Sequence, residues 1–170
     1  VASPSFVHNG GTAGKSGAPP SSATRWQVKN LFELKNARRV SIEYNLFENN
    51  WEHAQVGYAV LFTVRNQDGR CPWCGLDTVT FSHNVIRNSA GGINITGYDD
   101  NNPSAQTTDL AIRDNYISLT TELGGTGGGF LVGEAPKNLI IDRNTIDSNG
   151  NTVLYAYGGK TQERTILNGF

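Results

Sequence analysis

The sequence lacks methionine, has only two cysteines and contains no long apolar run. No stretch reaches the roughly 20 apolar residues that cross a bilayer, so a membrane-spanning helix is not expected. The first residues, Val1–Phe6, show neither the charged start nor the apolar run of a signal peptide. Because methionine is absent even at position 1, we expect the chain to be a piece of a longer precursor, whose missing part could have carried a signal peptide.

An excess of charge of either sign is also missing. The 14 basic and 15 acidic residues nearly cancel, and no run of lysine or arginine could follow a phosphate backbone, so nucleic-acid binding is not expected. A neutral substrate or a structural role fits this balance better. The 170 residues, 37% of them apolar, are enough for one domain with a real core.

What the sequence does contain is an internal repeat. Four segments share the order apolar, any, apolar, two mostly polar, Asn, any, apolar: Arg39–Asn49, Thr78–Asn88, Asp109–Leu119 and Asn138–Ser148. Their asparagines Asn45, Asn84, Asn115 and Asn144 are 39, 31 and 29 residues apart. That distance is the length of one solenoid coil with a variable loop.

Each repeat alternates apolar and polar residues before its asparagine, which predicts a short strand with one buried face. A second apolar strand follows in each unit: Tyr58–Phe62, Gly92–Ile95, Gly129–Val132 and Thr152–Tyr155. The order strand, Asn corner, strand, loop, strand predicts an all-β right-handed parallel β-helix of about four to five coils. Two internal ladders are expected: Ile42, Phe81, Ile112 and Ile141, and Phe47, Ile86, Ile117 and Ile146. We expect the four asparagines to form a third, structural ladder, since asparagine tolerates unusual backbone angles and stacked asparagines bond each other.

The ends of the chain fit the repeat less well. Residues 1–24 are expected to be a loop-like N-terminal segment, and residues 25–170 the β-helix domain. Leu31–Leu34 resembles the last strand of a preceding coil, and Thr161–Phe170 begins a fifth coil. An open solenoid end exposes strand edges, so we expect missing coils or self-association through the ends.

The repeat units resemble those of the pectate-lyase-like superfamily of parallel β-helices. More narrowly, Trp26–Ala37, Asn45–Trp51 and Thr63–Gly69 are similar to bacterial right-handed β-helix repeat proteins that are mostly uncharacterised. The resemblance covers roughly residues 25 to 160. It implies the fold but little about function, because the superfamily includes lyases, hydrolases, epimerases, phage tailspikes and adhesins. A secreted or periplasmic location is expected with it.

Both cysteines lie in the sequence Cys71-Pro-Trp-Cys74, which has the spacing of a dithiol-disulfide active site. A reactive cysteine of that kind needs a helix N-terminus after a strand, whereas this motif follows a turn signal and precedes a strand. Zinc would need more ligands, and none of the three histidines has suitable spacing. A structural loop, with two free thiols or a local disulfide, is therefore favoured over a metal site and over redox chemistry.

Candidate catalytic residues are read from the outward positions just before each corner. Lyase chemistry needs a base and a cation that stabilises an enolate, and glycoside hydrolysis needs two carboxylates. The residues that could supply either set are His83, Arg113, Asp114, Asp142 and Arg143. Opposite charges on neighbouring coils are equally expected as solvated cross-strand pairs.

Candidate substrate-binding residues are Glu43, Tyr44, Arg87 and Tyr98. Tyr98 belongs to the loop Gly97–Pro103, whose oxygens could hold calcium or a sugar, although the ligand spacing of a calcium loop is absent. Trp26, Trp51, Trp73 and Tyr98 could stack on sugars, and Trp26 and Trp51 could equally be hydrophobic anchors of their loops. No cofactor and no metal site is otherwise expected.

These observations favour an extracellular β-helix domain that binds, and could cleave, a polysaccharide. The cleavage would be of the lyase or hydrolase type. The alternative is a non-catalytic structural or cell-surface module that stacks through its solenoid ends.

Overall fold

A computed structural model describes residues 5–7, 29–159 and 163–169. The described residues form three five-stranded sheets in which every strand pair is parallel. The first sheet contains β3 (Ala37–Glu43), β6 (Leu76–Ser82), β9 (Thr108–Arg113), β12 (Lys137–Asp142) and β15 (Glu163–Asn168). The second contains β1 (Ser5–Val7), β4 (Leu46–Asn50), β7 (Val85–Ser89), β10 (Tyr116–Leu119) and β13 (Thr145–Ser148). The third contains β2 (Phe32–Leu34), β5 (Tyr58–Thr63), β8 (Gly91–Thr96), β11 (Phe130–Gly133) and β14 (Leu154–Tyr157).

The strand order shows how the chain travels through these sheets. From β3 onward the chain visits the first, second and third sheets in turn and then returns to the first, beside the strand it made before. Two 3-10 turns, Gln67–Gly69 and Thr121–Leu123, lie in the connections. An all-β fold with three parallel faces is therefore confirmed, and it is compatible with a parallel β-helix.

The core is built from like residues stacked in register. Phe47 pairs with Ile86, and Ile86 with Ile117, while Phe81 lies between Ile42 and Ile112. These two ladders match the predicted ones, and Phe47, Ile86, Ile117 and Phe81 have no exposed surface. The ring centroids of Phe47 and Phe81 are 5.6 Å apart. Each fully buried side chain of this size contributes about 1.5 to 3 kcal/mol to stability.

The start of the chain differs from the prediction in one respect. Ser5–Val7, inside the segment predicted to be loop-like, form β1 and pair with β4. The rest of residues 1–24, and Trp26, lie outside the described residues. The predicted strand at Leu31–Leu34 is present as β2, and the predicted fifth coil begins with β15, which pairs with β12.

The corner asparagines do not themselves have the left-handed backbone. Positive φ angles of 58°, 56°, 54° and 50° fall one residue earlier, at Tyr44, His83, Asp114 and Arg143. The chain turns at that residue because each asparagine side chain must point inward to bond its neighbours. A second left-handed row crosses the first sheet at Arg39, Thr78, Asp109, Asn138 and Arg164. Within the described part of the chain, no helix is long and apolar enough to cross a membrane.

Candidate functional site

A ladder of asparagines fixes the position of the predicted catalytic residues. The four side chains are at most 8% exposed. Nδ2 of Asn45 donates to Oδ1 of Asn84 at 3.0 Å, Asn84 to Asn115 at 3.2 Å and Asn115 to Asn144 at 2.8 Å. The same oxygens accept the backbone N–H of the preceding asparagine, at 2.9 to 3.1 Å. The side-chain oxygen of each later asparagine thus bonds both the backbone N–H and the side-chain nitrogen of the asparagine one coil before it. These paired bonds hold the two residues before each asparagine in register from coil to coil.

We call the two residues before each of these asparagines the corner array; Ser82 and Asp142 are buried, and the other members are partly or fully exposed. The array comprises Glu43, Tyr44, Ser82, His83, Arg113, Asp114, Asp142 and Arg143. It thus brings together all five predicted catalytic residues and two of the four predicted binding residues. Neighbouring rungs are about 4.8 Å apart, so the array presents side chains at a regular interval along the stack.

Two carboxylates of the corner array are held by one arginine. Arg143 Nε and Nη2 donate to the two oxygens of Asp114 at 2.8 and 2.9 Å, and Nη1 contacts Oδ2 of Asp142. Asp142 also accepts a hydrogen bond from Asn168 at 3.0 Å. The hydrogen bonds from Arg143 lower the pKa of Asp114, and the charges of Arg143, His83 and Arg113 act in the same direction. A carboxyl group held in this way stays ionised and is a poor general acid.

The other end of the array is aromatic. The rings of Tyr44 and His83 are stacked, with centroids 5.0 Å apart and planes inclined by 23°. Tyr44 is 60% exposed, so part of the stack is open to solvent. Beside it, the Ser82 hydroxyl donates to Glu43 at 3.1 Å. This pair of rings forms a flat surface that suits the apolar face of a sugar.

Arg113 is the cation of the array that has no ionic partner. It forms no ion pair or side-chain hydrogen bond with any residue that the structure describes, and its buried Nε has no hydrogen-bond partner. Its backbone carbonyl accepts from the N–H of His83 at 3.3 Å, which puts these two residues on adjacent rungs. The backbones of His83 and Arg113 are therefore adjacent, and Ser82 is the residue that pairs with Arg113 in the strand register.

The other predicted binding residues lie elsewhere. Arg87 is on β7 in the second sheet, where its Nε bonds Glu48 at 2.7 Å. Tyr98 follows β8 and precedes β9, so it lies near the start of the first-sheet strands, whereas the corner array lies at their ends. Neither Arg87 nor Tyr98 therefore belongs to the corner array.

The loop predicted to hold calcium or sugar binds an arginine. Asp99, whose side chain is fully buried, accepts from Arg65 Nη1 at 2.6 Å, and Asp100 accepts from the same atom at 2.7 Å. Burial favours a higher pKa for Asp99, but hydrogen bonds from the Asn101 and Asn66 amides and the Arg65 charge outweigh it and lower the pKa. Arg65 thus supplies the positive charge that calcium would bring, and the described residues contain no metal-binding cluster.

The two cysteines form a disulfide across the short loop. The N–H of Cys74 also donates to the carbonyl of Cys71 at 2.9 Å. Cys74 is buried, both thiols are taken up by the disulfide, and the motif is followed by β6 and not by the helix at which a reactive cysteine usually lies. Of the structural alternatives that the sequence leaves open, the local disulfide is the one present.

Sequence reasoning missed a cleft beside this loop. The cleft has a volume of about 490 Å³, and among its lining residues are Asn36, Arg38, Trp73, Asp77 and Gln106. The only signal for it in the sequence is a tryptophan between two cysteines. Spacing does not reveal which distant residues surround that tryptophan.

Similarity to known proteins does not identify a function for this site. Comparisons with protein-family models, curated proteins and solved structures give no match for this chain. A function for this chain is therefore inferred from its own geometry.

Proposed function

We propose that this chain is a right-handed parallel β-helix domain of the pectate-lyase-like type that binds a uronate-containing polysaccharide along the corner array. The observation that carries the proposal is the unpaired guanidinium of Arg113 in an array whose other arginine is fully engaged. Arginine forms charge-assisted, often bidentate hydrogen bonds with carboxylates, so a sugar carboxylate is the group that best fits this position.

The rest of the array supports an extended ligand. Stacked rungs offer equivalent positions at intervals of about 4.8 Å, which suits a chain polymer better than a compact molecule. The exposed stack of Tyr44 on His83 lies beside Arg113 and offers an aromatic face for a sugar ring. A disulfide that joins the only cysteines of the sequence supports a secreted or periplasmic location.

Of the two cleavage reactions, the geometry favours the lyase type. Both predicted carboxylates are bonded to Arg143, which leaves no free acid and base pair for hydrolysis. His83 and Arg113 remain available. In β-elimination, His83 would take the proton from the carbon next to the uronate carboxyl group, and Arg113 would stabilise the resulting enolate. The glycosidic C–O bond at the β carbon then breaks, the leaving oxygen keeps the electron pair and takes a proton from protonated His83 or from water to become a hydroxyl, and an unsaturated sugar remains.

The test compares Arg113→Gln, at a half-buried arginine, with Arg39→Gln, a control that changes an exposed arginine of the first sheet, on the left-handed row. Calorimetry with uronate polymers should give roughly ten- to a hundredfold weaker binding for Arg113→Gln, because a charge-assisted hydrogen bond contributes about 1.5 to 3 kcal/mol. Arg39→Gln should bind like the wild type. Cleavage is followed by the absorbance of unsaturated uronate and by reducing ends. The proposal fails if no uronate polymer binds or if both variants bind alike.

A second candidate function is assembly through the solenoid ends. It is favoured by apolar side chains exposed on the last described coil: Tyr155 at 58%, Ile166 at 41% and Leu167 at 46%. Among described residues, the strands β13, β14 and β15 each have a neighbour on one side only. Light scattering over a concentration series distinguishes the two functions, since end-to-end stacking raises the mass with concentration and glycan binding does not.

A further inference from the structure

The cleft beside the disulfide lies on the same sheet as the corner array but at the opposite end of its strands. Leu76, at the start of β6, lines the cleft, whereas Ser82, at the end of β6, belongs to the array. Six residue steps of extended chain separate them by about 20 Å. A ligand in the cleft would therefore leave Arg113 free.

Trp73 dominates the cleft. It is 73% exposed, although tryptophan is highly buried on average. Trp51, by contrast, is 8% exposed. A large indole held in solvent at the edge of a cavity is the usual arrangement for stacking on a planar or sugar ligand.

The loop that carries Trp73 is fixed from several directions. The disulfide links the residues on both sides of the Pro-Trp pair. The backbone N–H of Cys71 donates to Oδ1 of Asn66, and Asn66 Nδ2 donates to the carbonyl of Pro103 at 2.6 Å. The carbonyl of Cys74 accepts the N–H of Ala105 at 2.9 Å. The indole is thus presented on a pre-organised support, which lowers the entropic cost of binding.

The polar groups of the cleft are nearly neutral in sum. Arg38 Nε bonds Asp77 Oδ2 at 2.8 Å, so the two charges compensate each other. Asn36 Oδ1 accepts from the Gly75 N–H at 3.2 Å and Gln106 Nε2 donates to the Ala135 carbonyl at 2.8 Å. The other polar atom of each amide, Nδ2 of Asn36 and Oε1 of Gln106, is left for a ligand. Hydroxyl groups, which donate and accept, match such a set better than a carboxylate does.

We propose that this cleft is a second glycan-binding site, which takes a neutral pyranose stacked on Trp73. Its volume of about 490 Å³ lies within the range of about 300 to 1,000 Å³ that is usual for small-ligand sites. The inference shares with the proposed function only the assumption of a glycan ligand. It uses different residues, a different sugar class and a separate place on the sheet.

The test titrates the protein with neutral glucan, mannan and xylan oligosaccharides and compares Trp73→Ala with Tyr116→Ala. Tyr116 is a matched control because it is an exposed aromatic residue, 41% exposed, on the second sheet. At least one neutral oligosaccharide should bind the wild type. Trp73→Ala should weaken that binding roughly tenfold, since one stacking contact with its buried area is worth about 1.4 kcal/mol. Tyr116→Ala should leave it unchanged.

Two further arms make the result specific. The fluorescence of the wild type should change on titration, and the change should be absent in Trp73→Phe, which keeps an aromatic ring and most of the affinity. The double variant Cys71→Ala with Cys74→Ala should bind severalfold more weakly, because the indole must then be ordered on binding. Equal affinity of Trp73→Ala and wild type, or absence of any neutral ligand, overturns the inference. Arg113→Gln should not alter neutral-sugar binding, so the proposal for this cleft and the proposal for the corner array are tested independently.

Discussion

The substitution Asn84→Ala tests how much the asparagine ladder contributes to stability. The Asn84 side chain takes part in four hydrogen bonds. Its oxygen accepts from the backbone and side-chain nitrogens of Asn45 at 2.9 and 3.0 Å, and its nitrogen donates to the Ile42 carbonyl at 2.9 Å and to Asn115 at 3.2 Å. Alanine removes all four and leaves a buried backbone N–H without its partner.

The expected loss is about 5 to 7 kcal/mol, from four hydrogen bonds at about 1 kcal/mol each plus about 1 to 3 kcal/mol for the unsatisfied donor. Asn45→Ala is the matched comparison. Among described residues that side chain makes two hydrogen bonds, to the Glu43 carbonyl at 3.0 Å and to Asn84, so we expect a loss of about 2 kcal/mol.

Urea denaturation followed by circular dichroism measures both values by linear extrapolation. Unchanged slopes would show that the same surface is exposed on unfolding. A loss below about 1 kcal/mol for Asn84→Ala would refute the reasoning, and so would equal losses for the two variants. A small loss for Asn84→Ala would mean that the ladder adds little to the backbone pairing and apolar packing between coils, and equal losses would mean that the number of side-chain hydrogen bonds does not set the cost.

Three other changes test separate parts of the structure. Gly92→Ala would place its Cβ 2.3 Å from the carbonyl oxygen of Gly129 on the next coil, so we expect a loss of at least about 2 kcal/mol, measured by thermal unfolding. Phe81→Ala should cost about 3 to 5 kcal/mol in urea, since this ring is fully buried in the core. Asp99→Asn should cost about 2 to 3 kcal/mol by removing a buried anion with several partners. Because the folded pKa of Asp99 lies below its ordinary 3.8, its contribution is complete above that pH and is lost as the pH falls, so the wild type should lose its advantage over Asp99→Asn in acid.

The register of the fold was predictable because the repeat encodes it. A one-residue slip would move every apolar side chain to the wrong face, so the alternation around Ile42 and Phe81 fixes which residues stack. The asparagine spacing fixes the corner. The left-handed row at Arg39 and Thr78 was not predictable, since these outward residues share no residue type that signals a turn. The pairing of Ser5–Val7 with β4 was hidden because three residues carry no repeat.

The site was predictable only at the level of position. The repeat places Arg113, Asp114 and Arg143 near each other, but it does not say which charges pair. Arg143 reaches back one rung to Asp114 and also contacts its own neighbour Asp142, which leaves Arg113 unpaired; this depends on side-chain rotamers and not on spacing. The exposure of Trp73 likewise follows from a disulfide and from loops that meet only in the folded chain.

The most direct test of polysaccharide binding at the corner array is chemical-shift mapping of the isotopically labelled protein with a short oligouronate. We expect the largest chemical-shift changes at Tyr44, His83, Arg113 and the residues beside them, and we expect these changes to disappear in Arg113→Gln. Chemical-shift changes confined to other surfaces, or the same changes in the variant, would contradict binding at the corner array.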